Sequence, residues 1–73
     1  MTHADLINLW PSLTLFAEDL GVPYVTAKAM RRRQSIPAGY WSRVVECAVS
    51  RNIEGVTLEA LAEAVAQDRE AAE

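Results

Sequence analysis

The sequence predicts an all-α fold, a single small domain of about five short helices. Three observations lead there. Apolar residues recur at spacings of three and four in several short runs, the period of one helix face. Glycine and proline punctuate those runs at Pro11, Gly21, Pro23, Pro37 and Gly55. No stretch alternates apolar with polar residues in the way a half-buried strand would. With 73 residues the chain has room for one core, and a chain this short buries only about 60% of the surface its unfolded form exposes.

Each element follows from local chemistry. Thr2 can cap a first helix, and Asp5, three residues on, favours the positive end of that helix dipole. Leu6, Leu9 and Trp10 follow at helical spacing until Pro11 stops the run. Ser12 or Thr14 caps a second helix reaching about Leu20, with Leu13, Phe16, Ala17 and Leu20 on its inner face. Gly21 then supplies a positive φ where this helix can end. Pro23 lies just beyond, where a missing N–H costs nothing at the first turn of a third helix running to Arg32 or Arg33.

Pro37 opens a fourth helix in the same way. Ile36 is placed to pack back on Tyr40 as a hydrophobic staple, and the inward stripe is Trp41, Val44, Val45 and Ala48. Gly55 marks the next break. Thr57 caps a fifth helix, about residues 57–70, with Leu58, Leu61, Ala62 and Val65 on one side.

The net charge of −3 hides a strong segregation. Residues 1–23 carry Asp5, Glu18 and Asp19 with no Lys or Arg. Residues 24–43 carry Lys28, Arg31, Arg32, Arg33 and Arg43 with no acid, and residues 44–73 are again acidic. Such a local positive field acts on polyanions at short range, because salt screens charges beyond about 8 Å.

The third helix carries most of that charge. At 100° per residue, Pro23, Ala27 and Met30 fall on one arc and are expected to face the core. Val25, Lys28, Ala29 and Arg32 collect opposite, flanked by Tyr24 and Arg31 on one side and by Thr26 and Arg33 on the other. Lys and Arg suit phosphates and guanine edges, while small apolar side chains allow close approach to a groove floor and its thymine methyls. Two short helices joined this tightly, the second ending in arginines, have the outline of a helix-turn-helix.

The run Phe16-Ala17-Glu18-Asp19-Leu20-Gly21-Val22 resembles the helix-turn segment of phage Cro and repressor proteins, the lambda-repressor-like superfamily. A small residue at Ala17, glycine at Gly21 and apolar residues at Ala27 and Met30 match that family's pattern across residues 12–33. Pro23 departs from it, standing where a polar residue is usual, and Ala27 is smaller than the usual branched residue. The resemblance implies a helix-turn-helix domain spanning residues 1–73 that reads the major groove with helix 23–33. By it Tyr24, Val25, Thr26, Lys28, Ala29 and Arg32 read bases. Arg31, Arg33 and Arg43 are expected to grip phosphates.

The function expected is that of a sequence-specific transcriptional regulator, a Cro-like repressor bound as a homodimer to a palindromic double-stranded DNA operator. The acidic fifth helix, repelled by phosphate, is the candidate dimer contact. An alternative is a helical interaction module that docks an acidic protein partner through Arg31–Arg33. No enzyme is expected: Ser12, Ser35, Ser42 and Ser50 have no base partner except His3, which lies near an end expected to be mobile. His3 and Cys47 are too few for a metal site, and no glycine-rich phosphate loop exists, so neither cofactor nor small-molecule ligand is expected. The lone cysteine and the lack of a signal or membrane-spanning run fit a cytoplasmic location.

Overall fold

A computed structural model describes residues 2–72, with side chains through residue 66. Its five helices are α1 (His3–Ile7), α2 (Leu13–Leu20), α3 (Tyr24–Arg33), α4 (Trp41–Ser50) and α5 (Leu58–Ala72). A 3₁₀ turn, Ala38–Tyr40, leads into α4, and no strand occurs among the described residues. The α2 helix packs against both α3 and α4, α1 closes over α3, and α5 lies on α4.

Helix starts follow the polar residues that can cap them. Thr2 and Asp5 form a reciprocal capping box on α1, with Asp5 N–H donating to Thr2 Oγ1 at 3.1 Å and Thr2 N–H to Asp5 Oδ2 at 2.9 Å. Ser12 Oγ accepts from Leu15 N–H and Thr57 Oγ1 from Ala60 N–H. Each such cap contributes about 1 kcal/mol by satisfying a donor the helix leaves open.

Three helix ends share one solution. The residue after α2 is Gly21 in the left-handed region (φ 72°), and Val22 N–H donates back to Ala17 O. After α3, Gln34 takes φ 56° and Ser35 N–H returns to Met30 O. After α4, Asn52 takes φ 59° and Ile53 N–H returns to Ala48 O at 2.8 Å. This is the Schellman closure, which satisfies carbonyls left open at a helix end and turns the chain sharply. Of the three donors, Val22 and Ile53 pack against the core cluster, while Ser35 is exposed.

The core centres on Phe16, fully buried on α2, with Leu6, Ile7, Leu20, Ile36, Val44 and Leu61 around it. Burying a Phe or Leu completely contributes about 1.5–3 kcal/mol. Trp10 crosses the Phe16 ring edge-on at a centroid distance of 5.0 Å. The α2 inner face is the expected one: Leu13, Phe16, Ala17 and Leu20 are all buried.

Several expectations are corrected. The first helix ends at Ile7, so Ile7 takes the core position expected of Leu9, which is 42% exposed. Pro23 caps α3 from outside in an extended conformation (φ −62°, ψ 150°) and is exposed; its carbonyl, not its ring, serves the helix by accepting from Thr26 and Ala27. Pro37 opens the 3₁₀ turn rather than α4 itself. Among residues 58–66 of α5 the buried ones are Leu61 and Ala64, whereas Leu58 is 52% exposed and Ala62 is exposed. Val56, buried just before the helix, fills the core there, and Ala64 has the small side chain that allows α5 to lie close.

His3 differs most from expectation. Rather than lying on a mobile end, it is 1% exposed. Ile36 N–H donates to its Nδ1 at 2.8 Å, so the ring proton sits on Nε2, which donates to Leu61 O at 2.9 Å. Trp41 stands edge-on to the ring at 5.8 Å and donates its own Nε1–H to Ile36 O at 2.8 Å. One imidazole thus joins α1, the α3–α4 connection and α5, and the backbone of Ile36 is held on both sides.

Two outcomes follow. His3→Ala strands the buried Ile36 N–H, at about 1–3 kcal/mol, and takes from Leu61 O the bond it accepts beyond its helix, so urea denaturation should show a loss of at least about 1 kcal/mol. Gln34→Gly relieves a left-handed penalty of about 1–2 kcal/mol at the cost of greater freedom in the unfolded chain. The same measurement should register a small gain in stability.

Candidate functional site

The arrangement of α3 is set from beneath. Ala27 is fully buried and Met30 nearly so, and the absence of a large side chain at Ala27 lets α3 lie close on α2. With those two residues turned in, the opposite edge stands in solvent. Val25 is 69% exposed and Tyr24 51%, and Thr26, Lys28, Arg32 and Arg33 are exposed as well. Exposed apolar residues are ordinary singly, but Tyr24 and Val25 adjoin one another at the start of the most basic helix of the chain.

The remaining residues of α3 turn aside from this edge. Ala29 is only partly exposed and, with Thr26, Met30, Arg33, Ser35 and Pro37, lines a small recess of about 180 Å³. Arg31 is half-buried and faces a different recess, against Asn8, Trp10 and Ser12 at the start of α2. Arg31 and Arg33 therefore stand on opposite flanks, with Arg32 on the open edge between them. No acid lies within residues 24–43, so the charges this segment itself contributes are all positive.

Arg43 has a different setting. It lies on α4, where its Nε–H donates to the main-chain oxygen of Asp19 at 3.2 Å, and it borders a cleft with Glu18, Glu46, Cys47 and Arg51. The cleft encloses about 610 Å³, a volume within the range of ligand pockets, yet it is lined mainly by ionic side chains where such pockets are mostly apolar.

Asp19 forms the wall of that cleft and ties three parts of the chain together. Its carboxylate receives Arg51 in bidentate fashion, with Arg51 Nη2–H donating to Oδ1 at 3.0 Å, and it accepts Trp10 Nε1–H at 2.9 Å. Its main-chain oxygen receives Arg43 and the Cys47 thiol. The bonds from Arg51, aided by Trp10, hold the Asp19 carboxyl below its ordinary value of 3.8. Burial, with Asp19 nearby, pushes the Cys47 thiol up, which disfavours a reactive thiolate. Sequence reasoning missed this cluster because Asp19 and Arg51 lie 32 positions apart.

Among the described residues, no three His, Cys, Asp or Glu side chains gather as a metal site would require. No described helix is long and apolar enough to cross a membrane. No protein-family model, no curated protein and no solved structure matches the chain.

The Asp19 cluster sets a pH dependence. A carboxylate whose folded value lies below its unfolded one contributes stability that is complete above the unfolded value and is lost as pH falls through the folded one. Denaturation midpoints should therefore fall as pH drops below about 3.8. In Asp19→Asn the protein should be weaker at neutral pH and lose less on acidification; an unchanged acid slope would show that Asp19 does not supply it.

Proposed function

We propose that this protein is a sequence-specific, double-stranded DNA-binding transcriptional regulator of the lambda-repressor-like helix-turn-helix type, a Cro-like repressor that reads the major groove with α3. One observation carries the reading. Ala27 and Met30 are buried while Tyr24, Val25, Lys28 and Arg32 stand exposed on the opposite edge of the same helix, in a segment without a single acid. A helix in the major groove needs such an edge: cations for guanine O6 and N7, an apolar surface for thymine methyls, and no carboxylate to repel phosphate.

The tight turn at Gly21, with α2 packed across α3, supports the same reading, since in this motif the first helix braces the second against the duplex. Arg31 and Arg33, on either flank, are placed to hold backbone phosphates, which orient the protein without specifying sequence. Arg43, bonded to Asp19 O and bordered by glutamates, contributes less. Thr26 and Ala29 lie toward the Arg33 recess and so take a smaller share of base contact than Tyr24 and Val25.

A single module of this size buries about 600–1,000 Å² on DNA, which favours a homodimer on a palindromic operator. Leu61 is consumed by the core, but Leu58 on acidic α5 and Val49 on α4 are 52% and 69% exposed and offer apolar surface for the dimer contact.

Selection of bound duplexes from a random pool tests the proposal. The expected result is a two-fold-symmetric consensus. Lys28→Ala and Arg32→Ala should flatten base preference at one position each. Arg33→Ala should weaken all sequences alike and reduce the slope of log affinity against log salt by about one. Failure to enrich any duplex at low salt would overturn the DNA-reading role and favour an acidic protein as the partner of Arg31–Arg33.

A further inference from the structure

We infer that the recess between α3 and the segment following it is a preformed seat for one DNA backbone phosphate, held by Arg33, Thr26 and Ser35 together. This deepens the DNA-reading role proposed above and rests on it. Thr26 and Arg33 are seven residues apart on α3, two turns, and so lie at nearly the same angle around the helix. Ser35 returns opposite them after the Schellman closure, and Ala29 and Met30 form the floor.

Size and chemistry agree on the occupant. At about 180 Å³ the recess is smaller than the roughly 300–1,000 Å³ that organic ligands occupy. The polar side chains among its lining residues are those of Thr26, Ser35 and Arg33, two hydroxyls and one guanidinium, a set that suits an oxyanion. The one ion pair among the described residues joins Arg51 to Asp19, so no carboxylate of those residues is paired with Arg33. The recess also borders the exposed edge of α3, where a phosphate must lie if that edge enters the groove.

The seat is rigid for a reason far from α3. Ser35 N–H is bonded to Met30 O on one side. The next residue, Ile36, is fixed through its N–H by His3 Nδ1 and through its carbonyl by Trp41 Nε1. The Ser35 hydroxyl is therefore carried on backbone held at both ends, and His3 and Trp41 act on the seat as positioning residues. A preorganised site of this kind spends little ordering free energy on binding.

The test uses the full chain and a duplex enriched from the random pool, prepared as a series in which one phosphate at a time is replaced by an uncharged methylphosphonate. At one phosphate beside the recognised base pairs, neutralisation should weaken the wild-type protein about tenfold, the range of a hydrogen bond to a charged group. Arg33→Ala and Ser35→Ala should bind the unmodified duplex less well and lose little more at that phosphate, whereas Arg31→Ala should remain fully sensitive there. Ser35 is exposed and bonded only through its backbone, so Ser35→Ala should keep the wild-type denaturation midpoint. If a duplex is enriched but no phosphate is coupled to both Arg33 and Ser35, the seat is refuted while the DNA-reading role stands. If no duplex is enriched, both fall.

Discussion

The packing of this domain depends on how Asp19 holds the end of α2. Its carboxylate fixes Trp10 on one side and Arg51 on the other, and its main-chain oxygen takes Arg43 and Cys47 from α4. Two residues later the chain reverses at Gly21 and enters α3. The direction of α3 thus follows from the place where α2 stops, and Asp19 fixes that place against α4. An exposed ion pair contributes little by itself. Here the bidentate geometry, the shared indole N–H and the partial burial make a network whose value lies in orientation as much as in free energy.

The charge pattern takes on a spatial meaning in this setting. Acids flank the basic segment on both sides in sequence, and in the fold the one carboxylate–guanidinium pair among the described residues joins Asp19 to Arg51, away from α3. Arg51 is thereby committed to structure and Arg43 in part. Among the described residues, the cations of α3 form no ion pair. A small acidic protein can in this way keep a positive working surface without a positive net charge.

Much of the fold was legible because it is local. Leu13, Phe16, Ala17 and Leu20 show their face through spacing alone, Ser12, Thr2 and Thr57 cap as their side chains allow, and Gly21 marks its own turn. The exposed edge of α3 follows from Ala27 and Met30 by arithmetic on one helix. What was not legible is non-local or atypical in residue type. Gln34 and Asn52 end their helices in the manner of Gly21 without being glycine, so composition gives no sign of them. The rotation of α5 toward Ala64 depends on Val56 filling the core first. His3 looked idle because neither of its partners, at positions 36 and 61, can be recognised from its neighbours.

That histidine also links parts of the chain that are far apart in sequence. Its bond to Leu61 spans 58 positions, whereas most contacts in a bundle of short helices are local. Closing so long a loop carries a chain-entropy cost that grows only logarithmically with length, yet nothing offsets it until both ends are in place. Until α5 docks, the imidazole lacks the Leu61 acceptor for its Nε2–H. The docking of α5 and the fixing of Ile36 beside the basic helix are thereby coupled through one ring.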